Sequence, residues 1–266
     1  MQITSRDNSL LRQARAVRDG RVDDLIYIEG LRLAEESLRS ELEIEAVIFS
    51  EELARKERAS EALEKIAQAS ARVGSVSEKL LESISFTKTP QGIVVLARRP
   101  PNDSANLKAK LNETSLLVVL HQINNPVNVG AIIRTAEAAG VSGMIATKHT
   151  TDPFSPKALR GAMGSAFRLP IWSDVNYDEL IEWCRSTGIT TVASALSSAV
   201  SHTEIDWTRP TALILGPEST GLNSDEIAAA ALTVRIPMAG EVESLNVSVA
   251  AGVLLFEAAR QRGFKS

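Results

Sequence analysis

The feature that most constrains this fold is an alternation of continuous apolar segments with helical patterns from about residue 113 onward. The strand-like segments lie at residues 115–121, 143–146, 190–194, 211–215 and 232–236. Helical patterns separate them, and an amphipathic pattern closes the chain over residues 248–261. A strand that is apolar along its whole length is typical of a parallel sheet covered on both faces. The sequence therefore predicts an α/β domain with a mostly parallel sheet and helices on both faces.

The first 98 residues carry a shorter alternation of the same kind. Strand-like runs and helical patterns follow one another at residues 25–28, 30–41, 44–49, 59–70 and 93–97. They predict a small α/β unit. A Pro-, Asn- and Ser-containing stretch after it has the composition of a linker. We therefore expect a domain over residues 1–98, a linker over 99–112 and a second domain over 113–266.

Composition restricts the classes of protein to which the chain can belong. The single cysteine, Cys184, excludes an internal disulfide framework, and with three histidines no metal site is expected. The N-terminus is polar and the longest apolar run is far too short to span a bilayer, so we expect a cytoplasmic protein without a membrane partner. A net charge of −4 disfavours a generic nucleic-acid coat but permits a specific RNA partner through a local patch.

One candidate for such a patch is a cluster of arginines near the N-terminus. Its members are Arg6, Arg12, Arg15, Arg18 and Arg21, opposed there only by Asp7 and Asp19. A solvated helix face is an equally good interpretation of this cluster, and the sequence leaves both open.

Three short blocks between residues 125 and 249 follow strands and precede helices. They read Asn-Pro-Val-Asn-Val-Gly-Ala-Ile-Ile-Arg at residues 125–134, Leu-Gly-Pro-Glu-Ser-Thr-Gly-Leu at 215–222, and Ile-Pro-Met-Ala-Gly-Glu-Val-Glu-Ser-Leu-Asn-Val-Ser-Val at 236–249. Strand-to-helix junctions are where α/β proteins place their chemistry. Each block taken alone also suits an ordinary capped helix or a tight loop.

The first block places a charge in apolar surroundings. Asn128 is predicted to cap the helix, and Arg134 follows about a turn and a half later among small or apolar residues. A guanidinium in such a helix suits an anionic phosphate. In the second block, Leu222 stands where a phosphate-binding Walker loop requires lysine, so that class of loop is excluded.

Taken together, in this order and spacing, the three blocks resemble the motifs of the SpoU branch of the SPOUT RNA methyltransferases, over roughly residues 115–260. The resemblance implies a domain with a deep trefoil knot, S-adenosylmethionine as methyl donor, a ribose 2′-hydroxyl as acceptor, and a homodimer. The N-terminal region resembles the small RNA substrate-binding domain found before this domain in ribosomal RNA enzymes. A transfer RNA enzyme and a non-catalytic RNA-binding protein of the same fold remain alternatives.

The resemblance also implies roles for individual residues. Arg134 matches the catalytic arginine of the family, and the polar site residues around it are Asn128, Glu218, Ser244 and Asn246. The cofactor pocket, built largely from backbone groups, corresponds to Ala195, Gly216, Ile236 and Leu245. This chain departs from many members of the family by Asn125 in place of Asp and by Ser219 in place of Gly.

A general base must take the proton of the 2′-hydroxyl, and the family's arginine is described in that role. A guanidinium essentially never deprotonates in proteins, so we expect Arg134 to clamp a phosphate while another acceptor or water takes the proton. Residues 151–170 are either an RNA-contacting segment, with Phe154 stacking on a base, or a solvated loop. We expect Cys184 and the three histidines, His121, His149 and His202, to be structural or surface residues.

Overall fold

The structure, a computed structural model, describes residues 1–240 and 244–263. Up to residue 100 its elements are β1 (Gln2–Ile3), α1 (Ser9–Arg18), β2 (Leu25–Glu29), α2 (Leu31–Arg39), β3 (Ile44–Ser50), α3 (Glu51–Ala54), α4 (Glu57–Gln68), β4 (Ser70–Val76), α5 (Glu78–Ile84) and β5 (Ile93–Arg98). From residue 101 they are α6 (Ser104–Lys108), β6 (Leu116–Leu120), α7 (Pro126–Ala138), β7 (Gly143–Thr147), α8 (Pro156–Ala162), α9 (Ser165–Arg168), β8 (Ile171–Val175), α10 (Tyr177–Ser186), β9 (Thr190–Ser194), β10 (Thr211–Leu215), α11 (Ser224–Ala229), β11 (Leu232–Val234) and α12 (Val247–Gln261).

The first of two compact units comprises Met1–Pro100 together with Phe154–Arg168. Its sheet has the strand order β1-β4-β3-β5-β2, in which β1, β4 and β3 run parallel and β5 is antiparallel to both of its neighbours. Leu11 of α1 and Leu81 of α5 are fully buried against Tyr27 of the sheet. The Tyr27 hydroxyl donates to the backbone oxygen of Ile84 at 2.8 Å, so the buried phenol is paired.

The predicted strands of this unit are confirmed, but β1 and β4 were not predicted. Helix α4 ends at Gln68, and β4 begins at Ser70. The helix predicted over residues 59–70 therefore extended into the start of this strand. Only Gly74 and Val76 of β4 are buried, so the strand lacks the apolar run by which its neighbours were found. The segment expected to be a linker contains α6, which Asp103 caps by accepting from the backbone N–H of Asn106 at 2.8 Å.

Residues 151–170, for which an RNA-contacting segment was one alternative, contain the helices α8 and α9. Phe154 is only 2% exposed, and the guanidinium carbon of Arg99 lies 5.0 Å from the centroid of its ring. A ring covered in this way is not open to a nucleobase, so the expectation that Phe154 stacks on RNA is wrong. Arg168 forms an ion pair with Glu36 at 2.7 Å.

The N-terminal arginine cluster is partly engaged within the protein. Arg18 and Arg21 both pair with Asp19, at 2.8 and 2.7 Å. Arg15 donates to the backbone oxygen of Arg6 at 2.8 Å. The two ion pairs with Asp19 offset part of the positive charge of the cluster.

The second unit comprises Pro101–Pro153 and Leu169–Ser266. Its six-stranded sheet has the order β11-β9-β10-β6-β7-β8 and is parallel throughout, as predicted. All five residues of β6 are buried, and Leu117 and Val119 pack with Leu180 of α10, so Val118 lies on the opposite, equally covered face. Strand β8 was not predicted, because its sequence Ile-Trp-Ser-Asp-Val mixes apolar and polar residues. The trefoil knot stays a prediction.

No helix within residues 1–240 and 244–263 is both long and apolar enough to cross a membrane. Over the same described residues there is no group of three or more His, Cys, Asp or Glu side chains placed to hold a metal ion.

We expect Cys184 to be unreactive toward thiol reagents in the native protein. The side chain is fully buried, and burial raises the pKa of its thiol from 9.0 to about 12. Because the folded state holds the protonated thiol, its contribution to stability is complete below pH 9 and is lost as the pH rises toward 12. Reaction with a chromogenic disulfide reagent at pH 8, before and after denaturation, measures this. Equal rates in both states would contradict the prediction.

Candidate active site

The carboxyl ends of β9, β10 and β11 meet at one edge of the parallel sheet and border a cavity of about 660 Å³. Its wall is formed by residues 194–197, 215–222, 227, 235–236, 238, 244–247 and 250. Ligands of open parallel sheets bind outside the carboxyl ends of the strands. The volume is that of a small-molecule or cofactor site. The geometry thus places a candidate ligand site at the carboxyl ends of three parallel strands.

All four residues predicted for the cofactor pocket line this cavity. Ala195 directly follows β9, Gly216 directly follows β10, Ile236 lies two residues after β11, and Leu245 lies two residues before α12. Ala195, Gly216 and Ile236 follow three different strands, and the parallel pairing of those strands brings them together.

The loop after β10 closes tightly on itself at Gly216. A Cβ atom at this position would lie 2.7 Å from the backbone nitrogen of Leu222 and 2.8 Å from its Cγ. Gly221 adopts a left-handed conformation with φ of 66°, and its N–H donates to the backbone oxygen of Pro217 at 2.9 Å. The two glycines therefore determine the shape of the cavity wall over residues 216–222.

Three of the predicted polar site residues, Glu218, Ser244 and Asn246, also line the cavity. Asn246 caps α12, since its side-chain oxygen accepts from the backbone N–H of Ser248 at 2.9 Å. Its amide nitrogen donates to the side-chain oxygen of Asn128 at 3.3 Å. This bond links the third sequence block to the first. Asn128 itself is not among the described residues of the cavity wall.

The prediction that Asn128 caps its helix is wrong. Helix α7 starts at Pro126, and its cap is Asn125, whose side chain accepts from the backbone N–H of Val127 at 3.0 Å. Proline is favoured at the first helical position, since its fixed φ suits the helix and its missing N–H would have no partner there. Asn128 consequently lies inside the first turn, only 6% exposed, with its side chain directed to Asn246.

Arg134 lies on α7, outside the cavity wall, and is exposed. Within residues 1–240 and 244–263 no hydrogen bond or ion pair engages its guanidinium. Helix α7 packs against α12, which Asn246 caps, so both helices contribute to the same side of the unit. An exposed guanidinium without a partner among the described residues is available to an external anion.

Six lining residues lie outside the three sequence blocks and were not predicted for the site. They are Ser194, Leu196, Ser197, Ile227, Arg235 and Ala250. Among the described residues of the cavity wall, Arg235 has the positively charged side chain and Glu218 the negatively charged one. The position of Arg235, immediately after β11, is the signal by which it could have been found.

The fold and the cavity define an α/β protein with a ligand site at the carboxyl edge of a parallel sheet. The family model described as "SpoU rRNA Methylase family" matches residues 115–256, and one described as "MRM3-like substrate binding domain" matches residues 11–95. The chain belongs to the SpoU rRNA methylase family.

Similar proteins support this assignment along nearly the whole chain. The 23S rRNA (guanosine(2553)-2′-O)-methyltransferase RlmP of Bacillus subtilis is 30% identical over 229 residues, 86% of each chain. The AdoMet-bound rRNA methyltransferase of Sinorhizobium meliloti is 32% identical with a TM-score of 0.85, covering 100% of this chain and 99% of that one. The SpoU methyltransferase AviRb of Streptomyces viridochromogenes, in complex with AdoMet, is 26% identical with a TM-score of 0.85, covering 97% and 100%.

Proposed function

We propose that the protein transfers a methyl group from S-adenosylmethionine to a ribose 2′-hydroxyl of ribosomal RNA. The observation that carries the proposal is a hydrogen bond that connects the cavity to helix α7. The cavity at the strand ends suits the cofactor, and the Asn246–Asn128 contact joins its rim to α7, which bears the exposed Arg134. The family assignment and the RNA-modifying relatives agree with this reading.

The cavity wall fits S-adenosylmethionine. Ala195, Leu196, Ile236 and Leu245 supply apolar surface for an adenine ring, and the backbone of the loops supplies donors and acceptors. Glu218 at the wall is suited to a positively charged ligand. When bound, S-adenosylmethionine supplies an electrophilic methyl group on its sulfonium.

The polar residues position the RNA rather than exchange protons with it. Arg134 binds the phosphate next to the target ribose, which a guanidinium does with two parallel hydrogen bonds. Asn246, held by Asn128, and Ser244 orient the ribose at the cavity rim. The hydroxyl proton leaves to water or to another acceptor, because Arg134 keeps its own protons.

Ribosomal RNA is the preferred substrate class because of the N-terminal unit. Residues 11–95 match a substrate-binding domain, which adds a second RNA-contacting surface to the catalytic one. A transfer RNA substrate and a non-catalytic RNA-binding role are the alternatives that the experiment must separate.

The test is transfer of labelled methyl from S-adenosylmethionine to unmodified ribosomal RNA and, separately, to transfer RNA, followed by mass spectrometry of the nucleosides. We expect label in a 2′-O-methylated nucleoside of ribosomal RNA. Label in transfer RNA alone would make transfer RNA the substrate class instead of ribosomal RNA. Label on a base would overturn the assignment of the ribose as methyl acceptor. Cofactor binding with no transfer to either RNA would support the non-catalytic alternative.

We also propose that the protein is a homodimer formed through α12. Val249, Val253 and Phe256 are 52%, 37% and 50% exposed, and their spacing places them on one face of this helix. The other face is buried through residues such as Ala251 and Leu254. A row of large apolar side chains on a helix that already packs on its other face suits a second copy of the same helix.

Phe256→Glu is expected to convert the dimer to a monomer, since a carboxylate would then be buried in an apolar interface. Light scattering coupled to gel filtration measures the mass. The matched control is Leu232→Glu, which changes a residue of similar exposure, 45%, on the edge strand β11. A wild-type protein that is monomeric at micromolar concentration would refute the dimer.

A further inference from the structure

His121 is the first residue after β6 and stands directly ahead of the first sequence block. Its side chain is 3% exposed, and the ring of Tyr177 contacts it edge-on with centroids 4.6 Å apart. The proposed chemistry does not use this imidazole. A buried, polar and titratable ring of this kind needs partners on both of its nitrogens.

Both nitrogens have such partners. Nε2 lies 3.0 Å from Oε1 of Glu226, and Nδ1 lies 3.0 Å from Oγ1 of Thr147. A carboxylate only accepts, so Nε2 carries the hydrogen. The Thr147 hydroxyl has only longer alternatives, the backbone oxygens of Leu120 and Lys148 at 3.5 and 3.4 Å. It therefore donates to Nδ1, and a neutral imidazole satisfies every group in the chain of hydrogen bonds.

Glu226 extends this series of hydrogen bonds to the start of α11. Its second carboxylate oxygen accepts from the backbone N–H of Asn223 at 2.9 Å, while the Asn223 side chain accepts from the backbone N–H of Glu226 at 2.9 Å. The two residues form the capping box of α11. The Tyr177 hydroxyl donates to the backbone oxygen of Glu226 at 2.8 Å. The first turn of α11 is thus fixed to the ends of β6 and β7 and to α10.

The same turn anchors the wall of the cofactor cavity. Residues 215–222 form part of that wall and end immediately before Asn223, and Ile227 of α11 lines the cavity as well. His121 is therefore connected through one carboxylate to the loop that would contact the cofactor. Along the backbone it precedes the block that contains Asn128 and Arg134 by four residues.

We propose that His121 is a positioning residue that holds the loop of residues 215–222 in its cofactor-binding conformation through the contact with Glu226. This inference rests on the proposed function, because it takes the cavity to be the S-adenosylmethionine site. Without the contact, the start of α11 has one anchor fewer, and the cofactor must order the loop when it binds.

The test compares His121→Gln with His121→Asn by calorimetric titration with S-adenosylmethionine. The Gln amide nitrogen reaches the position of Nε2 and keeps the bond to Glu226, whereas the Asn amide reaches only as far as Nδ1. We expect His121→Gln to bind within about twofold of the wild-type affinity and His121→Asn about tenfold more weakly. In steady-state assays the cofactor KM of His121→Asn is expected to rise, with the RNA KM unchanged.

Two controls separate positioning from a general loss of stability. Thr211→Val removes a buried hydrogen bond to the backbone oxygen of Arg209 at the opposite end of β10, so it should lower Tm without changing the cofactor affinity. Amide exchange in residues 216–226 should accelerate in His121→Asn and not in Thr211→Val. If His121→Asn does not fold, Glu226→Ala, at a side chain 18% exposed, removes the same contact together with the capping-box bond to Asn223, and it is expected to weaken cofactor binding at least as much.

Equal cofactor affinities for the wild type, His121→Gln and His121→Asn would overturn the positioning role and leave the proposed function intact. A wild-type protein that binds no S-adenosylmethionine would overturn both. Equal weakening in His121→Asn and in Thr211→Val would show that only stability is affected, and it would also overturn the inference.

Discussion

Arg134→Ala is expected to abolish methyl transfer to RNA while leaving the affinity for S-adenosylmethionine unchanged. The guanidinium lies outside the cavity wall and is exposed on α7, so its loss does not alter the cofactor site. The substitution would remove the side chain that binds the phosphate beside the target ribose. Misplacing a reacting group by about 1 Å costs roughly 100-fold in rate, and loss of the clamp should cost at least that. Single-turnover transfer and calorimetric cofactor binding measure the two effects separately.

Two further variants sharpen this prediction. Arg134→Lys keeps the charge but not the paired hydrogen bonds, and we expect an intermediate rate with the same pH dependence as the wild type. If the basic limb of the pH–rate profile instead shifted to another pH in Arg134→Lys, the result would argue that the arginine is the general base. Arg185→Ala removes an exposed helical arginine of the same unit, which pairs with Glu182, and is expected to be neutral.

Gly216→Ala is expected to weaken S-adenosylmethionine binding by about 10- to 100-fold. The added Cβ would lie 2.7 Å from the backbone nitrogen of Leu222, closer than unbonded atoms approach, so the loop backbone has to move. Overpacking of this kind costs about 1–3 kcal/mol, and here the displaced atoms belong to the wall of the cavity. Calorimetry gives the affinity, and a thermal melt gives the accompanying loss of stability.

The matched control for this prediction is Gly240→Ala. A Cβ at Gly240 would meet no atom of residues 1–240 and 244–263 within 4 Å, and its φ is not in the left-handed range, so neither affinity nor Tm should change. Wild-type affinity in Gly216→Ala would show that the loop adapts without cost, and the cavity would then not be the tightly shaped site that we describe.

The sequence predicted most of the second unit because its strands are buried on both faces. Strands such as β6 and β10 consist entirely of buried residues and appear in the sequence as unbroken apolar runs. β4 and β8 are partly exposed and carry Arg, Ser or Asp, so no apolar run identifies them. Capping was predicted less well, because two asparagines three residues apart both suit the position and only the proline at 126 decides between them.

By itself the sequence determined the α/β class, the parallel sheet and the three blocks at strand-to-helix junctions, since apolar periodicity and helix-breaking residues are local properties of the chain. Only the tertiary structure decided which side chains meet. Strand order β11-β9-β10 brings Ala195, Gly216 and Ile236 to one cavity. The tertiary structure also brings His121 into contact with Glu226, across a sequence separation of 105 residues. The physical reason is that strand order and register depend on how all elements share one core, and no local segment encodes that.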